Sequence, residues 1–570
     1  MQILPYMQRH RQMICRSVLC IILFMLIGIL IQWCIPSSSS FAFKGRLFYS
    51  GFALALSLFL WNYSRFYIGA FCLYTVIFLS SSLIPMLAGQ HVERVEVTAA
   101  YLIGAALFLF FTDLLYISRH IRKKSVCHVL DSFLYVCLGA ALLFPLLIWG
   151  YYAVSGHVLS ATIVLTLFQT NGSESLAYLK SQNLFMWGGT FAALIFILIG
   201  SGCILYRLKT PSCGYSKKII YILSVLILAI SGHAVVKATD YLPVRIVTET
   251  KDALHQYKEY GKAKAQREAR LQQLQGLRIT SDGGIFVLVI GESETRDHMG
   301  AYGYDRDTTP WMSEETQKPE AILFRNAYSN HTHTVPVLTY ALSEKNQYND
   351  VPLEKAYSLI EIASTAVHQA WLNERTGTHD IRSDYYDDAL VQALPVLTNE
   401  KNALIVIHLM GCHGSYADRY PEEWKHYSGK SDVIDKYDNA IRYNDYVLQQ
   451  LYEALKENPR FKGFVYFSDH GEDVEHNYGH EASKFTATMS HIPLFMVVSP
   501  SFQAERPQTV ETLRSHRDSY WTNDLIYNVM TDLLGIDGVP GTDLDWDLAS
   551  SQYSMTKDTL RTLHGKQTIQ

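Results

Sequence analysis

Residues 284–293 read GIFVLVIGES: six consecutive apolar residues end in a glycine, a carboxylate and a hydroxyl. A run this short, with no polar residue on either face, fits a strand covered on both sides. Such strands belong to parallel or mixed sheets flanked by helices. LIVIHL (404–409), GFVYFS (463–468) and IPLFMVV (492–498) have the same character. Helical periodicity lies between them, at 355–370 and 434–458. Strand–helix alternation over about 260 residues predicts one α/β domain of sandwich type with a mostly parallel central sheet.

The chemistry sits at the carboxyl end of each run. The first leads into Gly291-Glu292-Ser293, the second into Gly411-Cys412-His413, and the third into Asp469-His470-Gly471-Glu472. Ligands of open α/β sheets bind beyond the carboxyl ends of the strands. Glu292, Asp469 and His470 offer carboxylate and imidazole donors, which suit Zn²⁺. Three such donors leave a fourth position for a substrate or nucleophile oxygen. An Asp-His pair after one strand is more often a turn cap with a surface histidine, but joint placement after separate strands favours a metal site.

Ser293, Thr295, Thr308, Thr309, Thr332 and Thr334 are candidate hydroxyl nucleophiles, and composition does not choose among them. Thr334 precedes the apolar spacing Val335, Val337, Leu338, Ala341, Leu342, which reads as a helix start. A nucleophile there has helix N-terminal N–H groups beside it for a phosphate. An ordinary N-cap is the competing reading.

The rest of the chain has a different solvent. Of 570 residues, 49% are hydrophobic and only 18% charged, below the roughly 25% of soluble proteins. Residues 1–238 hold 17 Lys+Arg and 5 Asp+Glu (+12), and residues 239–570 hold 32 and 48 (−16). Seven stretches approach the roughly 20 apolar residues of a spanning helix, near 16–34, 46–61, 65–88, 97–117, 128–152, 184–206 and 218–238; 46–61 with 65–88 could form one re-entrant hairpin, so five to seven spans are expected. The first is read as a span rather than a cleaved signal peptide, because its apolar run is long and further spans come after it. With the N-terminus inside, the inner segments carry twelve Lys and Arg and the short outer ones carry Lys44, Arg46, Arg94 and Lys180. That bias places everything after 238 outside the cytoplasm.

Residues 159–168 in the long outer loop are expected to form an interfacial helix. Residues 239–280 are expected to be a linker with an interfacial helix, whose lysines and arginines are solvated or face anionic headgroups. Eight of nine cysteines fall in the apolar part, and Cys412 alone in the soluble part excludes an intrachain disulfide there.

Four motifs in this order, GESETRDHMGAYGYDRDTTP (291–310), HTHTVPVLTYALS (331–343), IVIHLMGCHGSYADRYP (405–421) and FSDHGEDVEHNYGH (467–480), resemble the lipopolysaccharide phosphoethanolamine transferases. The resemblance covers about 284–500 and reaches the loop LFQTNGSESLAYL (167–179). It implies a bacterial inner-membrane enzyme with a periplasmic, alkaline-phosphatase- or sulfatase-like catalytic domain over 281–570. It also implies zinc ligands Glu292, Asp469 and His470, and Thr334 as nucleophile, nine residues before Ser343. His413 and His480 would line the phosphoethanolamine site or hold a second metal, with Glu472 beside the metal shell. Ser293 and Thr295 become runners-up.

The implied reaction takes phosphoethanolamine from phosphatidylethanolamine through a phospho-threonine to a lipopolysaccharide acceptor, a core sugar or lipid A. Its other partners are membrane lipids, and no nucleic acid is expected. The nucleophile segment lacks the flanking cysteines of the lipid A branch, so the resemblance is closer to the branches acting on core sugars. Phosphoglycerol transferase or phosphodiesterase chemistry uses the same metal logic, and a membrane-anchored scaffold with a degenerate site is the non-enzymatic alternative. A sulfatase is disfavoured, because Cys412 is followed by His-Gly-Ser instead of the Cys/Ser-x-Pro-x-Arg pattern.

Overall fold

The computed structural model describes residues 3–34, 44–87, 94–119, 124–155, 159–161, 163–165, 184–208, 216–274, 276–366, 368–372, 386–394 and 402–569. The chain divides into two compact units, residues 1–169 with 182–253, and 170–181 with 254–570.

In the first unit, each expected apolar stretch is a helix: α1 (Ile3–Cys34), α2 (Lys44–Leu60), α3 (Arg65–Leu87), α4 (Arg94–Ser118), α5 (Lys124–Ser155), α6 (Leu184–Tyr206) and α7 (Lys217–Val236). Among the described residues five helices are long and apolar enough to cross a membrane, from α3 to α7. The apolar parts of α1 and α2, Cys15–Ile31 and Gly45–Leu60, are shorter. Several polar groups inside this unit are satisfied by one another. Tyr67 shares its hydroxyl with Ser57 at 2.6 Å and Thr112 at 3.0 Å, and Arg119 pairs with Asp131 at 3.0 Å. Such pairing is needed where no water is available to compensate. Of the segment 159–168, residues 159–161 and 163–165 are described, with 161 and 163–165 helical, while 162, 166–168 and the loop 167–179 lie outside the described residues. Residues 239–280 contain two helices, α8 (Leu242–Lys262) and α9 (Lys264–Gln272). Arg267 of α9 is buried and ion-paired with Glu361 at 3.1 Å.

The second unit is built on a six-stranded sheet. Its strands are β1 (Ile285–Gly291), β2 (Ala321–Phe324), β3 (His368–Leu372), β4 (Ala403–His408), β5 (Phe461–Ser468) and β6 (Leu494–Val498), in the spatial order β2-β6-β5-β1-β4-β3. The pairs β5-β1, β1-β4 and β4-β3 are parallel, and β6 with β5 and β2 is antiparallel, so the sheet is mixed. Both faces are covered, which explains the uninterrupted apolar runs. Phe286, Leu288 and Ile290 face a cluster with Trp521, Ile526, Val529 and Leu533. Ile285, Val287 and Val289 face Tyr437, Ile441, Leu448 and Leu451 of helix α10 (Asp432–Lys456). Ser431 caps that helix by accepting from the Ile434 N–H.

One expectation is corrected. The helix expected over 355–370 is a single short helix, Leu359–Ala363, closed by a Ser358–Glu361 capping box, and the chain then enters β3. Backbone pairing of 368–372 with β4 overrides an apolar spacing that supports only about one turn.

Leu288 is fully buried at the sheet centre. Leu288→Ala should cost about 2–5 kcal/mol through the cavity it leaves. Calorimetry of the full chain in detergent should show a lower unfolding midpoint; an unchanged midpoint would contradict this placement.

Candidate metal centre

Strand register assembles the centre. Gly291 of β1 lies opposite Ser468 of β5, so the next residues on the two strands, Glu292 and Asp469, emerge side by side. Ile290 pairs with His408 of β4, which brings that imidazole to the same edge. The segment after β4 is pressed against β1: Cys412 N donates to Glu292 O at 2.8 Å. Gly411 has φ +46, and a Cβ there would meet the Glu292 backbone N and O at 2.9 Å. Glycine permits this approach. Ser293 is a non-glycine residue at φ 59, a strained conformation of the kind that concentrates at functional sites.

Asp469 is held by one oxygen and aims the other inward, whereas Glu292 has both of its oxygens engaged. Asp469 Oδ1 accepts from the N–H groups of Ser293 at 3.0 Å and His470 at 2.7 Å. Its Oδ2 is buried without a hydrogen-bond partner, as is His470 Nε2. Glu292 Oε1 accepts from the Ser293 hydroxyl at 2.8 Å, and Oε2 accepts from Thr334 Oγ1 at 2.9 Å. His470 Nε2 stands 3.4 Å from both Glu292 Oε1 and Asp469 Oδ2. A tetrahedron with metal–ligand bonds of 2.0–2.2 Å has edges of about 3.3–3.6 Å, so the donor spacing fits a zinc-sized cation. His470 Nδ1 faces the Gly471 carbonyl at 3.0 Å, a contact that directs Nε2 to the centre.

Electrostatics agree with geometry. Burial and the Glu292 charge push the Asp469 carboxyl up to about 6. Burial would lower the His470 imidazole, but Asp469 and Glu292 outweigh it and raise it to about 10. Burial would raise Glu292, yet His408 and His470 hold it well below the usual carboxylate range. Two buried carboxylates therefore demand positive charge between them, from a proton or a metal ion.

A second donor group, His470, Glu472 and His480, shares His470. Its carboxylate is already engaged, by Tyr416 OH at 2.6 Å and His480 Nδ1 at 2.7 Å. Glu292, Asp469 and His470 are thus the better fit for a cation, and Glu472 orients His480. The His480 ring lies 4.5 Å from that of His470, tilted by 46°, and meets His333 edge-to-face at 5.2 Å. His413 comes after the loop held against Glu292, close enough for its charge to act on that carboxylate. Thr334 opens helix α11 (Thr334–Ala341). Thr295 accepts from the Asp297 N–H and lies fully buried, while Ser293 Oγ is spent on Glu292.

Sequence spacing does not single out two residues of this centre. His408 Nε2 lies 3.8 Å from Glu292 Oε2, and its position at the end of an apolar strand is the available signal. His333, one residue before Thr334, is nearly buried.

The family described as Sulfatase matches residues 285–531. "Phosphoethanolamine transferase EptC" of Escherichia coli (strain K12) is 30% identical over 268 residues, 39% of this chain and 46% of that protein. "Phosphoethanolamine transferase EptA" of the same strain is 23% identical over 492 residues, 75% of this chain and 88% of that protein. The chain is thus similar to phosphoethanolamine transferases, and the Sulfatase match lies within its second unit. It spans less than half the length of the first of these relatives. The solved "Integral membrane protein lipooligosaccharide phosphoethanolamine transferase A (EptA) from Neisseria meningitidis" shares the fold over both units, with TM-score 0.60 at 16% identity, covering 85% of this chain and 98% of that one. This family likeness and the apolar helices make the chain a multi-pass membrane protein.

A Cβ on Gly471 would meet the Thr488 carbonyl oxygen at 2.2 Å and the His491 carbonyl oxygen at 3.0 Å, whereas Gly414 has open space. Gly471→Ala should displace His470 and drop bound zinc well below that of Gly414→Ala by elemental analysis; equal zinc in both would contradict the assignment. Metal binding also requires His470 to lose its proton, which it holds up to about 10. Zinc affinity should therefore rise roughly tenfold per pH unit from 7 to 9, measured by chelator competition; a flat profile would refute the proton–metal exchange.

Proposed function

We propose that the chain transfers phosphoethanolamine from phosphatidylethanolamine to a lipopolysaccharide acceptor, with Thr334 as the covalent carrier. The observation that carries this reading is the Thr334 Oγ1–Glu292 Oε2 hydrogen bond at 2.9 Å. It puts one hydroxyl at the edge of the donor group and at the start of a helix, whose N–H groups favour a phosphate. Residues 1–238 anchor the chain in the bacterial inner membrane, 239–280 link it, and 281–570 form the periplasmic catalytic domain. The loop-charge bias supports that orientation.

Glu292, Asp469 and His470, with Thr334 as fourth ligand, would hold one zinc ion, which when bound supplies Lewis-acid activation of the threonine hydroxyl. Glu292 accepts the Thr334 proton along the existing hydrogen bond. The Thr334 oxygen attacks phosphorus, the bond from phosphorus to the diacylglycerol oxygen breaks, and His480 delivers a proton to that leaving oxygen. Glu472 keeps His480 oriented for this through Nδ1. His413 holds a phosphate oxygen. In the second half, an acceptor oxygen attacks the phospho-threonine and loses its proton to His480, the bond from phosphorus to the Thr334 oxygen breaks, and that oxygen takes back the proton held by Glu292. Both substrates are lipids, which is why a catalytic domain of this kind needs a membrane anchor.

Intact mass of the full chain after incubation with phosphatidylethanolamine should show one added phosphoethanolamine, absent in Thr334→Ala. An adduct persisting in that variant would move the nucleophile elsewhere. An added phosphoglycerol from phosphatidylglycerol, with none from phosphatidylethanolamine, would reassign the donor.

A further inference from the structure

Residues 561–569 are not used by the chemistry above, yet they close on the nucleophile segment. They form a hairpin of β7 (Arg561–Thr562) and β8 (Gln567–Thr568). Its tip holds two successive non-glycine residues in the left-handed region, Leu563 at φ 51 and His564 at φ 54. Such strain persists only where surrounding contacts over-determine it, and they do here. His564 N donates to Asn330 O at 3.0 Å, Thr562 Oγ1 to Ser329 O at 2.8 Å, and His564 Nε2 contacts Pro336 O at 3.2 Å. Gln347 ties the hairpin from the other side, donating to Arg561 O and accepting from Gly565 N, each at 2.9 Å.

The result is a shelf running from the hairpin to the donor group. The His564 ring stacks on Tyr340 at 3.9 Å and 6°, and lies 4.9 Å from His331. His331 is 5.7 Å from His333, which meets His480. Lys345 and Lys566 are close enough for their charges to act on His564, and Arg561 lies on the same hairpin as Lys566. Lys345 Nζ lies 5.7 Å from the Tyr340 ring. Among the described residues none of these three cations makes an ion pair with a carboxylate. The Arg561 guanidinium donates to the carbonyls of Asp558 and Leu560, and Lys345 Nζ to Asn349 O. Elsewhere in this unit, cations such as Arg306, Lys430, Lys462 and Arg506 are paired within 3.0 Å. Asp350 is near enough to act on Lys345 and Asp524 on Tyr340, but neither is ion-paired with these cations. In a unit whose residues 239–570 carry net charge −16, cations without a paired carboxylate beside a flat aromatic stack form a local anion site.

We propose that Lys345, Arg561, Lys566 and the Tyr340–His564 stack form the acceptor subsite, which binds an anionic sugar beside Thr334. The sugar ring lies on the stacked aromatic face, and its phosphate or carboxylate meets the cations. This rests on the transfer reading and names the class of acceptor it uses.

The test compares the wild-type full chain with Arg561→Gln/Lys566→Gln and with Lys345→Gln. Adduct formation on Thr334 from phosphatidylethanolamine reads the donor half alone, and it should stay within about twofold. Transfer to rough lipopolysaccharide micelles should show acceptor KM raised about tenfold or more in the double variant, with kcat little changed. Direct binding of the same micelles should weaken in parallel, and added salt should weaken wild-type binding more than variant binding. Phosphatase-treated and carboxyl-reduced lipopolysaccharide distinguish the source: loss of the wild-type advantage on the first assigns phosphate, on the second a sugar acid. Equal KM and equal binding in wild type and variants would overturn the subsite. So would parallel loss of donor adduct and acceptor binding, which would make the hairpin a structural clamp. Charge-dependent binding without any Thr334 adduct would retain the subsite and count against the transfer reading alone.

Discussion

Glu292 and Asp469 leave neighbouring parallel strands at one level and enter a space from which water is excluded. Placing two carboxylates there costs free energy unless positive charge lies between them. The surrounding structure answers that demand. His470 presents an otherwise unbonded nitrogen to both, Asp469 spends its second oxygen on backbone N–H groups, and Thr334 donates to Glu292. The sheet is rigid because both faces are packed, so the carboxylates cannot relax apart. A site of this type is preorganised before any ligand arrives.

The strand runs were legible because a strand buried on both faces has no polar alternation, and because metal and hydroxyl chemistry lies at strand ends. Glu292, Thr334, Asp469 and His470 converge for that reason. The central strands were found and the outer β2 and β3 were not. Ala321–Phe324 and His368–Leu372 are short, and β3 comes after a turn of real helix, so local periodicity misreads what backbone pairing decides.

His408 and His333 escaped for a different cause. A histidine inside an apolar run or beside a hydroxyl has no spacing signature, and only register shows that it faces the carboxylates. The C-terminal hairpin was equally silent. Its tip places a leucine and a histidine in a conformation that neither favours, and its hold on the nucleophile segment depends on contacts more than 200 positions apart.

The central claim is that one cation sits among Glu292, Asp469, His470 and Thr334. Anomalous diffraction at the zinc edge, from crystals of the zinc-loaded full chain, tests it most directly. The account predicts a peak about 2.0–2.2 Å from Asp469 Oδ2, His470 Nε2 and a Glu292 oxygen, with Thr334 Oγ1 completing the shell. A peak held instead by Glu472 and His480, or no peak at the ends of β1 and β5, would contradict it.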